Sequence, residues 1–260
     1  MLVRVVLLLL LWMAGLLLAP VQGAPLAEIQ KRGTLNVCAH PDALPFSSQS
    51  RTEPGFQIEI AEEIARKLGV QLDVRWIIFR YHARRANCDA TIGSIVMLDK
   101  KEEGRRRVRQ TRPYAGSRYV LVVSPNKSGV QSLEDLKGAK VGVEHASWPH
   151  YLMDKRGIPV ASYRTAMEIL DAVARGEVEA GLVSDPYAGW YLKQHPNAVK
   201  VVEGYTPDPS LRWNVAVGLR KADDALVEAV NQVLDEMLSS QKIQKIFAKY
   251  GVTYIPPFSQ

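Results

Sequence analysis

The sequence lacks the short motifs that several catalytic mechanisms need. It has no glycine-rich phosphate loop, no HExxH helix and no G-x-S-x-G elbow around a serine. Two of its five histidines, His145 and His150, are five residues apart, a spacing that fits poorly to one helix face as a zinc pair would require. We therefore predict no catalytic residues, no metal site and no cofactor, although spacing alone does not exclude a catalytic triad assembled from distant segments.

Long apolar runs are also missing, with one exception near the start of the chain. Residues 5–18 form an apolar run of 14 residues that follows Arg4. This run is shorter than the ~20 residues that a membrane-spanning helix needs, and small residues precede Ala24 as a cleavage site requires. We predict a signal peptide over residues 1–23 and a periplasmic protein that meets the membrane only before cleavage. An uncleaved anchor is the alternative, because one basic residue precedes the run.

Cysteine is scarce, since only Cys38 and Cys88 occur in 260 residues. An exported protein meets an oxidising compartment, so these two residues are expected to form a disulfide. The bridge would close a loop of about 50 residues, which the chain-entropy model values at about 4 kcal/mol. The alternative is a Cys38 nucleophile beside His40, but two residues in an extended segment lack the third group that orients such a base.

The chain has only a modest net charge and no internal repeat. The formal net charge is +6 and becomes +5 without Arg4, and no basic stripe with interleaved aromatic residues is visible. This balance argues against nucleic acid as a partner and is compatible with an acidic one. No internal repeat or low-complexity tract is present.

Hydrophobic periodicity predicts alternating strands and helices. The clearest element follows Gly55, where Phe56, Ile60, Ile64 and Leu68 recur every four residues, as in an amphipathic helix. Such alternation predicts an α/β protein with mostly parallel sheets. The predicted strands are 35–39, 70–76, 90–95, 119–123, 140–143, 160–163, 179–183, 200–202 and 214–219. The predicted helices are 56–68, 81–86, 132–138, 147–155, 166–175, 186–194, 223–239 and 242–250. The polar segment 100–109 is predicted to be a loop or a frayed helix.

Four stretches of sequence together resemble the type II periplasmic solute-binding proteins of the polar amino-acid class. They are LNVCAHPDALPF, GFQIEIAEEIARKLGV, SLEDLKGAKVGV and EILDAVARGEVEAGLVSDPYAGWYL. The resemblance implies a periplasmic binding protein-like fold: two α/β lobes joined by two crossover strands, 119–123 and 215–219, with a ligand in the cleft between them. The implied organisation is a first lobe over 24–121, a second lobe over 122–216 and a return to the first lobe over 217–260.

Within that class, the chain is most similar to the MxaJ/XoxJ proteins that accompany quinoprotein methanol dehydrogenases. The residues that carry this similarity are Cys38-Ala39, Leu44-Pro45-Phe46-Ser47, Cys88-Asp89, Thr111-Arg112-Pro113-Tyr114 and 171–178. It implies a non-catalytic accessory or maturation partner of such a dehydrogenase. The alternative is the substrate-binding component of an ABC importer, with a permease as partner and a small polar solute such as an amino acid as ligand. A third possibility is an enzyme on this scaffold, related to a cyclohydrolase or a dehydratase.

The candidate ligand-binding residues lie in loops after predicted strands, where α/β proteins hold their ligands. After the first strand, Asp42 could pair with a cation and Phe46 could offer an apolar wall, or this loop could simply pack on its own lobe. Gly93 and Ser94 end the strand at 90–95. In amino-acid receptors this loop supplies hydroxyl and amide contacts, and the arginine that follows it clamps the ligand carboxylate. Arg105 is the nearest equivalent here, although it could also belong to a solvated basic face.

The second lobe supplies the remaining candidates. Ser147 could help to receive an anion at a helix N-terminus, or could only cap that helix. An acid after the strand at 179–183 would bind an ammonium group. The resemblance places this acid at Ser184, whereas the chain has Asp185 one residue later, and Asp185 could instead cap a helix. The aromatic residues of this region could pack in the core, or they could be exposed together on a protein-binding surface. These aromatic residues are Trp148, Tyr187, Trp190, Tyr191 and Trp213.

Overall fold

The computed structural model describes residues 26–98, 108–136, 138–206 and 208–259, and they form alternating strands and helices. The helices are α1 Leu26–Arg32, α2 Phe56–Lys67, α3 Trp148–Lys155, α4 Ala166–Ala174, α5 Asp185–Gln194, α6 Asp224–Ser239 and α7 Lys242–Lys249. Short 3-10 helices span Arg80–Arg84, Glu134–Leu136 and Pro209–Leu211. The strands are β1 Thr34–Ala39, β2 Asp42–Ala43, β3 Ser47–Ser48, β4 Gln71–Trp76, β5 Ala90–Met97, β6 Val108–Gln110, β7 Ala115–Val123, β8 Val141–Glu144, β9 Val160–Tyr163, β10 Ala180–Ser184, β11 Lys200–Val201 and β12 Arg212–Arg220.

The first lobe is built on the strand order β4-β1-β5-β12. β1 is parallel to both β4 and β5, and β12 runs antiparallel to β5. The predicted apolar stripe of α2 packs into this lobe's core, where Phe56, Ile60 and Ile64 are almost fully buried. α2 begins after Gly55, whose φ of 93° favours glycine and whose hydrogen faces the Phe46 carbonyl; an added Cβ would lie 2.5 Å from that oxygen.

The second lobe is built on the order β7-β10-β8-β9. β10, β8 and β9 are mutually parallel, and β7 is antiparallel to β10. Apolar clusters cover both faces of this sheet, so its strands are apolar at consecutive positions; residues 120–123 of β7 are all buried. Continuous apolar runs of this kind are expected for strands that are covered on both faces.

Two crossover strands, β7 and β12, join the lobes. Residues 115–118 of β7 pair with 212–215 of β12, so the two sheets meet in one antiparallel ladder. The chain's last described segment crosses this ladder, since Gly116 forms a bridge with Ile255 and the Asn214 side chain makes two hydrogen bonds to the Phe258 backbone. The two-lobed α/β architecture is confirmed, while the division at 121/122 and 216/217 stays a prediction.

Helix α5 belongs to the second lobe but packs against both cores. Its Tyr191 is buried in the second-lobe core, whereas Trp190 is 7% exposed and lies in the first-lobe core near Tyr250. The close approach depends on Gly189, because a Cβ there would lie 2.3 Å from the Gly251 carbonyl oxygen. The lobes are therefore fastened to each other by α5 as well as by the crossover strands.

Several predicted elements differ from the observed ones. β7 begins at Ala115 and β5 continues to Met97, because both strands pair with β12 beyond the ends of their apolar runs. The helix predicted over 132–138 is a single 3-10 turn in which Asp135, rather than Ser132, accepts the capping hydrogen bonds. The sheets were predicted to be mostly parallel, but each contains one crossover strand that runs antiparallel to its neighbour. These strands are β12, beside β5, and β7, beside β10. The signal peptide predicted over 1–23 lies outside the described residues.

Candidate functional site

A cleft of 510 Å³ lies between the two lobes. Its first-lobe wall includes Phe46, Ile77 and Ser94, its floor includes Trp213 of β12, and its second-lobe wall is formed by Asp185 and Tyr187. Most of these groups are apolar, and no arginine or lysine of the described residues lines the cleft. A pocket that is mainly apolar with few convergent polar groups is typical of small-molecule sites.

An aromatic contact joins the two lobes at the cleft. Phe46 of the first lobe packs against Phe56 and against Tyr187 of the second lobe, with ring centroids 5.0 Å apart in both pairs. The loop that carries Phe46 is fixed by hydrogen bonds, since the Phe46 amide donates to Ala43 and Ser47 Oγ donates to the His40 carbonyl. The structure thus places Phe46 as a wall of the cleft.

Gly93 and Ser94 also line the cleft, but they do not end a strand as predicted. β5 continues to Met97, so both residues lie within the strand, beside a bulge in the pairing with β12. Ser94 Oγ accepts a hydrogen bond of 2.8 Å from Gln110 Nε2. Gly93 is crowded by Gln57, whose side-chain nitrogen would lie 2.4 Å from an added Cβ. Arg105, the predicted carboxylate clamp, lies outside the described residues.

Asp185 is the one carboxylate among the described residues that line the cleft. It is half-buried, and its Oδ1 accepts hydrogen bonds from Ser117 Oγ at 2.6 Å and from the Arg118 amide at 3.0 Å. Burial raises the pKa of Asp185 to about 6, and the two hydrogen bonds limit this rise because they stabilise the ionised form. The carboxylate therefore joins the second-lobe wall directly to the crossover strand β7.

The one-residue offset between Ser184 and Asp185 has a structural explanation. β10 ends at Ser184 and Asp185 is the first residue of α5, so the two residues belong to different elements. Because the backbone turns at this point, Asp185 reaches the cleft while Ser184 does not line it. Ser184 occupies the N-cap position of α5 without a side-chain capping bond. The alternative interpretation, in which Asp185 caps the helix, is therefore wrong, because the N-cap residue is Ser184.

Two other predicted site residues lie away from the cleft. Asp42 is exposed and does not line it, and its amide donates to His40 Nδ1. Ser147 caps α3, since its hydroxyl accepts from the His150 amide at 3.2 Å and donates to the Glu144 carbonyl at 2.7 Å. The hydroxyl therefore both donates and accepts a hydrogen bond within the chain. This favours the interpretation that Ser147 caps the helix.

The predicted disulfide between Cys38 and Cys88 is confirmed, with 5.6 Å between the two Cα atoms. It links the end of β1 to the residues before β5, and Cys38 itself lines the cleft. Because its sulfur is bonded, Cys38 is not a thiol nucleophile. The bridge also encloses the segment that carries Ile77 and Ile78, two cleft residues that sequence reasoning missed. They follow the carboxyl end of parallel strand β4, and this position was the signal that could have identified them.

The five aromatic residues that could form either a core or a protein-binding surface do not behave alike. Trp190 and Tyr191 are core residues, whereas Tyr187 and Trp213 are half-buried and line the cleft, so the five aromatic residues are not exposed together. Other large apolar side chains are exposed instead. They are Ile78, Phe79, Tyr81, Ile95, Trp148 and Tyr151.

No group of three or more histidine, cysteine, aspartate or glutamate side chains is arranged to hold a metal ion in the described part of the chain. Among the helices of that part, none has the length and apolarity needed to cross a membrane.

Comparison with known proteins identifies relatives along nearly the whole described chain. The L-cystine-binding protein TcyJ of Escherichia coli strain K12 is 27% identical over 235 residues, which cover 86% of this chain and 85% of TcyJ. The structure of an ancestral arginine-binding protein bound to glutamine is 30% identical, has a TM-score of 0.63, and matches 84% of this chain and 98% of its own.

An ancestral amino acid-binding protein, AncCDT-1, described as a precursor of cyclohexadienyl dehydratase, is 25% identical with a TM-score of 0.67 over 87% of this chain and 98% of its own. The model of the bacterial extracellular solute-binding proteins, family 3, matches residues 35–253. With its two lobes, crossover strands and interlobe cleft, the chain belongs to the bacterial extracellular solute-binding proteins, family 3.

Proposed function

We propose that this protein is the periplasmic substrate-binding component of an ABC importer for a small solute that carries an ammonium group on an apolar body, such as an amino acid. The observation that supports this proposal best is the carboxylate of Asp185, the one acid among the described residues that line a mainly apolar cleft. The curated relatives support the same reading, since they include an L-cystine-binding protein and a probable amino-acid ABC transporter-binding protein of Haemophilus influenzae.

The proposed binding mode uses groups from both lobes. The ammonium group of the solute pairs with Asp185, and its apolar body lies against Phe46 and Tyr187, which already touch across the cleft. A carboxylate on the solute would be clamped by Arg105, and Gly93 and Ser94 would contact it as in the resembling receptors. Asp185 accepts hydrogen bonds from Ser117 and from the Arg118 amide, both on crossover strand β7. A solute that pairs with Asp185 therefore contacts a residue that is hydrogen-bonded to the junction between the lobes.

The proposed role is non-catalytic. Binding requires only complementary contacts, whereas catalysis on this scaffold would need a nucleophile or an acid and base placed together. Asp185 is the only described acid that lines the cleft, and Cys38 is oxidised.

Solute affinity is expected to rise with pH through about 6. Below its raised pKa, Asp185 is protonated in the free protein and offers no charge to an ammonium group; above it, the carboxylate is ionised and attracts the solute. Calorimetric titration with L-cystine, L-arginine and L-phenylalanine, whose own ionisation does not change between pH 5 and pH 7.5, measures this dependence. For Asp185→Asn, we expect a loss of about 10- to 100-fold at pH 7.5 and a flat profile.

Asp42→Asn is the matched control, because it removes an exposed acid that does not line the cleft. It should leave both the affinity and its pH dependence unchanged. Equal effects of the two substitutions, or a solute whose affinity is independent of pH in the unmodified protein, would contradict the role given to Asp185.

A second candidate function is that of an accessory partner of a quinoprotein methanol dehydrogenase. The observation that favours it is the group of exposed apolar residues Ile78, Phe79 and Tyr81 beside the cleft, followed by exposed Arg84 and Arg85. Exposed apolar patches of this kind mark protein-binding surfaces. Affinity purification from periplasm tests it. Recovery of a quinoprotein dehydrogenase that Tyr81→Ala abolishes would support this function, while recovery of a permease would support the importer.

A further inference from the structure

Two arginine residues face each other across the ladder that joins the lobes. Arg118 of β7 and Arg212 of β12 are direct cross-strand partners, so their side chains leave the sheet on the same face. Their neighbours Ser117 and Trp213 line the cleft, and successive residues of a strand point to opposite faces. The two guanidinium groups therefore lie on the face of the crossover ladder that is turned away from the solute cleft.

Neither arginine side chain forms an ion pair with a described residue, although the charge of Arg118 acts at longer range on Asp185. The Nε atoms of both are buried without a hydrogen-bond partner, and neither guanidinium lies within 4.0 Å of a described carboxylate oxygen. Arg156, by contrast, is bonded to Asp208 at 2.7 Å. Like charges placed opposite each other on a sheet destabilise it, and unmet charge that is partly buried adds a desolvation cost.

A cavity lies beside Arg118, one member of the pair. A surface cavity of 390 Å³ is lined by Arg118, Val120, Val202, Tyr205 and Thr206. Glu203 also borders this cavity, but it is exposed and makes no ion pair with Arg118. On the other side, the ring of Phe258 lies 5.5 Å from the Arg212 guanidinium carbon and holds that group in place.

We propose that Arg118 and Arg212 form a binding site for an oxyanion, a carboxylate or a phosphate, on the back of the crossover ladder. Two planar guanidinium forks on adjacent strands match the geometry of such an anion, which accepts two parallel hydrogen bonds from each arginine. The bound anion balances the two positive charges and so removes the repulsion between the two strands. This site is distinct from the proposed solute site and does not depend on the identity of the solute.

Thermal unfolding of the full chain tests the site, with sodium phosphate replacing sodium chloride at constant ionic strength and pH 7. Because an anion bound only to the folded state stabilises it, the unfolding midpoint of the unmodified protein should rise by about 5 °C or more and then saturate. The Arg118→Gln/Arg212→Gln variant should show no saturable rise. In chloride alone its midpoint should equal or exceed that of the unmodified protein, because the repulsion is gone.

Arg164→Gln is the matched control, since it removes one exposed arginine that is paired with Glu168 and should respond to phosphate like the unmodified protein. A second arm uses the peptide acetyl-Asp-Glu-Asp-Glu-amide as a carboxylate probe. A response to the peptide alone identifies a carboxylate of a protein partner as the anion, and a response to phosphate identifies a free anion. If neither probe separates the double variant from the control, or if the double variant is less stable in chloride, the proposal is overturned.

Discussion

Replacing both cysteines with alanine, as Cys38→Ala/Cys88→Ala, is expected to lower the free energy of unfolding by about 4 kcal/mol. The bridge closes a separation of 50 residues, so its removal returns a large conformational entropy to the unfolded chain. The loss falls on the first lobe, because both cysteines are buried there and the enclosed segment carries the cleft residues Ile77 and Ile78. Urea denaturation followed by circular dichroism measures the change.

The reduced protein provides the control for this prediction. Dithiothreitol should shift the urea midpoint of the unmodified protein toward that of the double variant and should leave the double variant unchanged. A difference below about 1 kcal/mol between the two proteins under oxidising conditions would show that the bridge does not constrain the unfolded chain. Solute titration on the folded double variant then reports whether the enclosed segment also positions the cleft.

Substitution of Trp190 by alanine is expected to cost about 3–5 kcal/mol, the range found when a buried aromatic side chain is truncated. Trp190 is 7% exposed and packs in the first-lobe core although its helix α5 starts at the second-lobe wall of the cleft. Its removal leaves a cavity between the lobes, so we also expect weaker solute binding. Thermal unfolding and calorimetric titration measure the two effects.

Trp148→Ala is the control for the Trp190 substitution. Trp148 is 50% exposed and makes one side-chain hydrogen bond, to Ser210, so its loss should cost about 1 kcal/mol or less. Equal costs for the two substitutions would show that Trp190 does not fasten the lobes together. A cost at Trp190 without any change in solute affinity would limit its role to the stability of the core.

Local sequence patterns predicted the elements whose determinants are local. The apolar residues of α2 recur with the helical period, so this helix was predicted closely. β9 has the bounds that were predicted for it, 160–163. The strand ends at Met97 and Ala115 were not predictable, since they depend on pairing with β12, more than 90 residues further along the chain. Trp190 likewise reads as an ordinary core residue of α5, and only the tertiary structure shows which core it enters.

In the candidate site, too, some features could be predicted from local sequence and others depend on the tertiary structure. The rule that ligands bind at the carboxyl ends of strands placed Phe46 and Asp185 correctly at the cleft, but it also placed Asp42 and Ser147 there, which is wrong. Gly93 and Ser94 do line the cleft, although they lie within β5 and not at its end. Whether Ser184 or Asp185 reaches the cleft depends on the residue at which β10 ends and α5 begins. Boundaries between secondary-structure elements are the features that a sequence predicts least well. The pairing of Arg118 with Arg212 depends on a register between strands separated by most of the second lobe, which no local pattern encodes.

The position of Trp213 gives the cleft an optical reporter. Its indole lines the solute cavity and meets the Tyr119 ring edge-on at a centroid distance of 5.4 Å. Light absorbed by this indole is re-emitted at a wavelength that depends on how much water surrounds it. A solute that displaces water from the cavity will therefore shift the emission toward the blue, and occupancy can be followed in real time without any attached dye.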